Sequence, residues 1–207
     1  MKKLFALMLM LAMVLSFAAC GEEENVQEPE TPELKDTIVL TGSGSQTLQL
    51  GSIEDGFVFH ITGNSAGEEF TVLAGDASGN LVTPLVITSE PYEGITADMS
   101  LTATQLEIAA VGDWTVELVP IQNLSRYKAG DTVTGNQDTV FWVSDLSNYA
   151  IISGNNNNGL LIVNAYGDYS QEQLLSTQEP FNGKVDITCN PFVLTVMASD
   201  SFSIELH

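Results

Sequence analysis

The sequence predicts an all-β protein built from two tandem small antiparallel β-sandwiches that follow an apolar leader and an acidic tether. Apolar residues recur at every second position in short segments, which is the period of a half-buried strand. Gly- and Asn-rich turns separate these segments, and the same order of segments occurs twice. The predicted boundaries are residues 1–19 for the leader, 20–36 for a cysteine and the tether, and 37–121 and 122–207 for the sandwiches.

The leader has the pattern of a bacterial signal peptide. Lys2 and Lys3 precede an apolar run, residues 4–19, that is shorter than the about 20 residues a spanning helix needs. The run ends Phe17-Ala18-Ala19-Cys20, which resembles a lipobox with Phe17 where Leu is usual. This resemblance implies cleavage before Cys20, acylation of its thiol, and anchoring at the outer face of a bacterial membrane. The alternative is an ordinary secretory signal whose cysteine is incidental.

The charge of the chain excludes several classes of partner. The formal net charge is −21, and removal of the leader with its two lysines makes it −23. Nucleic acid is excluded because phosphate binding needs clustered Lys or Arg. Attraction to anionic lipid headgroups is excluded for the same reason, so the lipid on Cys20 must hold the protein to the membrane.

The segment after Cys20 is predicted to be a disordered tether. Residues 21–36 are acidic, contain Pro29 and Pro32, and have almost no large apolar residues. Repulsion between their carboxylates favours an extended spacer between the lipid and the folded part.

An internal repeat covers the rest of the chain. Five pairs of segments match in the same order, at offsets that fall from 92 to 88 residues. They are 46–50 with 138–142, 61–64 with 152–155, 90–94 with 179–183, 106–110 with 194–198, and 114–118 with 202–206. Loop deletions explain the falling offset, so we interpret the copies as two versions of one module.

The module resembles an uncharacterised β-sandwich of bacterial surface and secreted proteins. The resemblance rests on Gly42-Ser43-Gly44, Gly63-Asn64, Phe70, Tyr92-Glu93-Gly94 and Gly112-Asp113-Trp114. It covers Asp36 to Pro120 well and the second copy less closely, since Phe181 and Phe202 replace Tyr and Trp there. The resemblance implies jelly-roll-like sandwiches and implies no particular activity.

Aromatic residues are the candidates for ligand binding. Trp114 matches Phe202, Tyr92 matches Phe181 and Trp142 matches Leu50, so we interpret these residues as packing. Phe141 instead matches Gln49 and is expected to face solvent. With Tyr166 and Tyr169 it would form an exposed patch for a glycan or a partner, although scattered surface aromatics are also common.

Catalytic and metal chemistry have weaker support. His60 and Cys189 match the apolar residues Ile151 and Leu101. We interpret His60 as a strand histidine whose ring has a partner and Cys189 as a buried inert thiol, and we expect no catalytic site. The His and Cys spacings do not support zinc. Asp76-x-Ser78-x-Asn80 is a weak calcium candidate, because oxygen side chains alternate there. The same residues form a good turn without an ion.

The sequence therefore favours a non-catalytic, membrane-anchored binding or adhesion lipoprotein that recognises a glycan, peptide or protein. The first alternative is a structural or accessory subunit, such as a spacer, in a cell-envelope complex. A hydrolase is the remote alternative, since no motif predicts one.

Overall fold

The computed structural model describes residues 36–50, 56–64, 67–76, 78–99, 103–145, 148–167 and 170–207. The predicted signal peptide, Cys20 and nearly all of the tether lie outside these residues, as does Tyr169.

The first module consists of eight strands in two antiparallel four-stranded sheets. Its strands are β1 Ile38–Ser43, β2 Gln46–Gln49, β3 Phe57–Gly63, β4 Phe70–Gly75, β5 Leu81–Thr88, β6 Tyr92–Thr96, β7 Gln105–Ala109 and β8 Asp113–Pro120. The order is β1-β8-β3-β6 in one sheet and β2-β7-β4-β5 in the other. A turn of 3-10 helix, Ile121–Asn123, then leads into the second module and contains the predicted boundary.

The second module repeats this arrangement and adds one strand. Its strands are β9 Arg126–Lys128, β10 Thr132–Gly135, β11 Thr139–Ser144, β12 Tyr149–Gly154, β13 Leu161–Gly167, β14 Gln171–Thr177, β15 Phe181–Asp186, β16 Pro191–Ala198 and β17 Phe202–Leu206. The sheets are β10-β17-β12-β15 and β14-β13-β16-β11-β9, where β9 pairs parallel with β11.

The two modules have the same topology. If β9 is set aside, β10 to β17 occupy the places of β1 to β8 in both sheets. Most consecutive strands lie in opposite sheets, and the first and last strands pair, as in a jelly roll. The predicted all-β fold of two tandem sandwiches is confirmed.

Each module has its own apolar core, built from the residues that face inward on alternating positions. Phe59, Ile61, Phe70 and Trp114 lie in the first core. Their counterparts in the second core include Ile152, Leu161 and Phe202. In β8 and β17 every second residue is buried, which is the two-residue period from which the strands were predicted.

A pair of glycines allows the large aromatic residues to enter these cores. The indole of Trp114 lies against Gly42, and the ring of Phe202 lies against the matching Gly135, so a Cβ at either glycine would overlap the ring. The interpretation of Trp114 and Phe202 as packing residues is confirmed, since both are buried.

A buried asparagine follows β3 and β12 in the same conformation. Asn64 and Asn155 have φ of 60° and 62°, in the left-handed region. The Asn64 Nδ2 donates to the carbonyl of Glu90 at 2.9 Å, and the Asn155 Nδ2 donates to that of Glu179 at 3.2 Å. These side chains tie the end of one strand to the start of the next strand in the same sheet, which explains why Gly-Asn recurs in both copies.

We expect Asn155→Ala to lower the free energy of unfolding by about 2–4 kcal/mol, measured by urea denaturation. The change removes donors to the carbonyls of Gly159 and Glu179 and places alanine at a left-handed φ. Asn158→Ala is the matched control, because Asn158 has φ of 58° and no side-chain hydrogen bond within the described residues. Equal losses in the two variants would contradict a role for the Asn155 side chain.

Candidate functional site

The predicted exposed aromatic patch does not form as expected, because Phe141 is a core residue. Its side chain is 2% exposed and lies in the second core, where its ring is 5.3 Å from that of Tyr127. The expectation that Phe141 faces solvent is therefore wrong.

The error is a one-residue shift in matching the copies. Leu48 pairs with Leu106, and Phe141 pairs with Leu194, the residue that matches Leu106. Phe141 thus corresponds to Leu48 rather than to Gln49. A shift of one residue moves a strand's side chains to the opposite face of the sheet.

Tyr166 lies at the contact between the modules. Its half-buried side chain lines a cavity of about 180 Å³ with Pro84 of the first module and Met197 of the second. Burial raises the pKa of its hydroxyl, which accepts a hydrogen bond from Gln171 Nε2 at 3.3 Å. Tyr166 is thus part of the junction rather than of an open aromatic surface.

The junction itself is an apolar cluster between the modules. Val58, Leu124, Val140 and Val193 are buried in it, and all lie outside the two sandwich cores. Trp142 packs at its edge, donates from its indole nitrogen to the Ile121 carbonyl, and lies 5.3 Å from the Phe192 ring. The interpretation of Trp142 as a packing residue is therefore confirmed.

Asp138 is the polar anchor of this junction. Its Oδ2 accepts from the hydroxyl of Tyr92 at 2.8 Å, and its Oδ1 accepts from the main-chain N–H of Ala198 at 2.8 Å. Its main-chain carbonyl accepts from the N–H of Ile95 at 2.8 Å. Burial raises the pKa of the Asp138 carboxyl, and burial with the Asp138 charge raises that of Tyr92.

His60 and Cys189 occupy settings that favour structural roles. His60 Nδ1 lies 3.0 Å from Glu117 Oε2, so the ring of this strand histidine has a partner. Cys189 is half-buried, and burial, followed by the charge of Glu172, raises the pKa of its thiol. A raised pKa lowers the thiolate fraction and therefore nucleophilic reactivity.

The weak calcium candidate is a turn in which the carboxylate already has donors. Asp76 Oδ1 accepts from the N–H groups of Ser78 and Asn80 at 2.8 and 3.0 Å. Asp76 Oδ2 accepts from Asn80 Nδ2 at 3.0 Å, and these hydrogen bonds lower the pKa of Asp76. The geometry favours the turn interpretation. Within the described ranges, no three His, Cys, Asp or Glu side chains are grouped closely enough to hold a metal ion.

The surface best suited to a small ligand is a shallow pocket on the outer face of β12, β15 and β17, which we call the sheet-face pocket. Its volume is about 390 Å³. Five residues with hydroxyl or amide side chains, one glycine and two phenylalanines line it: Ser153, Asn156, Asn182, Ser201, Ser203, Gly154, Phe181 and Phe202. Sequence reasoning missed it, because single serines and asparagines in strands carry no motif.

The five polar side chains of the sheet-face pocket are unengaged. Among the residues that the structure describes, none of these hydroxyl or amide groups hydrogen-bonds to another protein group. Ser153 pairs with Asn182 on one side and Ser203 on the other, so three of the five lie side by side across the sheet. Strands hold these three side chains in place as a preformed row of donors and acceptors, whereas Asn156 and Ser201 lie just outside the strands.

The sheet-face pocket differs from the matching surface of the first module in charge. Thr62 pairs there with Glu93, at the positions that Ser153 and Asn182 occupy in the second module. Asp113 precedes Trp114 where Ser201 precedes Phe202. The second module therefore carries neutral residues at two positions that are acidic in the first.

Comparisons with known proteins give no family for this chain. No protein-family model and no curated protein matches it. A regulatory subunit of a cAMP-independent protein kinase A from Trypanosoma brucei aligns at 6% identity and TM-score 0.24, over 82% of this chain and 74% of that one. The Trypanosoma cruzi regulatory subunit bound to guanosine gives 6% and 0.24, over 78% and 71%. Similarity this low carries no argument about fold or ligand.

Among the described strands and turns, no helix is long and apolar enough to cross a membrane.

We expect Asp138→Asn to change how stability depends on pH. Because the folded pKa of Asp138 lies above its ordinary 3.8, the native state holds this proton more tightly than the unfolded state. Its contribution to stability is therefore present at low pH and is lost as pH rises above 3.8. Relative to Asp138→Asn, the unchanged protein should lose stability in urea denaturation as the pH rises from 3.8 through the raised pKa of Asp138.

Asp113→Asn is the control, since it also removes one carboxylate but from an exposed position. A difference between Asp138→Asn and the unchanged protein that stays constant with pH would contradict the raised pKa.

Proposed function

We propose that this protein is a membrane-anchored, non-catalytic binding lipoprotein that recognises an uncharged glycan through the sheet-face pocket of its second module. The lipid on Cys20 and the tether would display the two sandwiches at the outer face of a bacterial membrane. The observation that carries the glycan proposal is the row of unengaged hydroxyl and amide side chains in a preformed pocket of about 390 Å³.

The chemistry of the pocket supports a saccharide. Hydroxyl and amide groups both donate and accept hydrogen bonds, as the hydroxyls of a sugar require. Ser153, Asn182 and Ser203 lie side by side across the sheet, so a sugar ring could hydrogen-bond to several of them at once.

The charge of the pocket supports an uncharged ligand. The protein carries a formal net charge of −21, yet no charged side chain lines this pocket. A cationic ligand would find carboxylates elsewhere on the surface, and an anionic ligand would be repelled by the whole molecule. An uncharged saccharide needs no charged partner and fits the neutral lining.

The membrane anchor is tested by labelling cells that express the full chain with a clickable palmitate analogue. We expect the unchanged protein to carry label and to sediment with membranes, and Cys20→Ser to lose the label. Cys189→Ser is the matched control, because Cys189 is the chain's other cysteine, and it should keep both properties. Label that persists in Cys20→Ser would contradict lipidation at this residue.

The glycan proposal is tested by thermal melts of residues 21–207 against neutral cello-, xylo-, malto- and chito-oligosaccharides. A ligand at about 100 times its dissociation constant should stabilise the protein by about 2.7 kcal/mol, which raises the melting temperature by several degrees. We expect one of these classes to do so. A flat response to all four would contradict the proposal.

The site is tested with Asn182→Ala and Ser153→Ala in titration calorimetry with the active saccharide. Loss of one hydrogen bond of about 0.5–1.5 kcal/mol should weaken binding by about two- to tenfold in each variant. Thr62→Ala, at the position in the first module that matches Ser153, should leave the affinity unchanged. Binding that survives both second-module substitutions would place the glycan elsewhere.

A further inference from the structure

A second concave surface lies along the module junction, and we call it the junction groove. It comprises a cavity of about 380 Å³ and the smaller cavity beside Tyr166, which are neighbours because Asp138 and Met197 line both. One wall comes from β5 and β6 of the first module, and the other comes from β16 of the second. The groove therefore exists only where the modules meet.

Exposed apolar side chains from both modules face this groove. Ile87 is 68% exposed and Met197 is 42% exposed, and both line the larger cavity. The ring of Tyr92 and the side chain of Leu160 contribute further apolar surface. Methionine adapts its shape to different partners, which suits a surface that binds a peptide.

The charged residues of the junction groove are all acidic. Glu90 and Glu93 line the larger cavity, and among the described residues no lysine or arginine lines either cavity. The Glu93 side chain is 62% exposed, with Oε1 3.9 Å from His60 Nε2. An occupant with positive charges beside apolar side chains would complement both properties of the groove.

We propose that the junction groove binds an extended segment of a partner protein in which basic and apolar side chains alternate. An extended chain presents successive side chains to opposite sides, so one set meets Ile87 and Met197 and the other meets the acidic rim. The chain's own segment 21–36 is predominantly acidic, so its charge does not match that of the proposed occupant. This site is independent of the sheet-face pocket and of its glycan.

The proposal is tested by fluorescence anisotropy with residues 21–207, which contain the whole compact unit of residues 34–207. The probe is a labelled, end-capped hexapeptide of alternating lysine and leucine. Hexapeptides of alternating glutamate and leucine, and of alternating lysine and serine, test the charge and the apolar contribution separately. We expect the lysine–leucine probe to bind and the other two to bind at least about tenfold more weakly.

Variants of the groove locate the binding. The double change Glu90→Gln and Glu93→Gln, and separately Met197→Ser, should each weaken the lysine–leucine probe by about tenfold. The matched controls are Glu107→Gln with Glu205→Gln, which removes two exposed carboxylates outside the groove, and Val111→Ser, which alters an apolar residue that is 69% exposed. Neither control should change the affinity.

Three outcomes would overturn the proposal. The first is no binding of the lysine–leucine probe. The second is equal weakening by the control pair of glutamates, which would show diffuse attraction to an acidic surface. The third is full binding by Met197→Ser, which would remove the apolar part of the site. Melting curves of each variant show whether the fold is kept, and Asn182→Ala should leave peptide binding unchanged, which separates this test from that of the glycan.

Discussion

The apolar contact between the two sandwiches is the constraint on which the rest of the structure depends. Val58 points out of the first module and Val140 and Val193 point out of the second, and each is at most 3% exposed. Full burial of one such side chain contributes about 1.5–3 kcal/mol. The contact fixes the angle between the modules, and only a fixed angle gives the junction groove two walls at a constant separation.

The contact uses a different face of each module, and the equivalent face of the other module is polar in each case. Where the second module pairs Trp142 with Val193, the first module pairs Gln49 with Gln105, and these amides hydrogen-bond at 3.2 Å. At the positions of Val58 and Val119, the second module has Tyr149 and His207, whose rings stack 4.6 Å apart. Polar outer faces of this kind resemble those that cap arrays of repeats.

The sequence pattern predicted a strand and its inward face correctly where one face of the strand is buried. It misled where both faces are buried. In β8, apolar residues alternate with polar ones, so the strand and its inward face follow from the pattern. Residues 140–143 read Val-Phe-Trp-Val without alternation, because β11 has a core on one side and the junction on the other. That run allowed Phe141 to be matched to Gln49. The missing period was itself a sign of the contact, and the junction groove could not be located before the contact was known.

The contact also explains why matching residues of the two modules support different proposals. Tyr92 and Glu93 begin β6, which the junction brings against the second module, so both line the groove, and the Tyr92 hydroxyl donates to Asp138. The corresponding Phe181 and Asn182 begin β15, which faces away from the first module and lines the open pocket instead. The Glu93 carboxylate suits the basic ligand proposed for the groove, whereas the Asn182 amide suits the uncharged ligand proposed for the open pocket. The two modules therefore differ at positions that the junction covers in the first module and leaves open in the second.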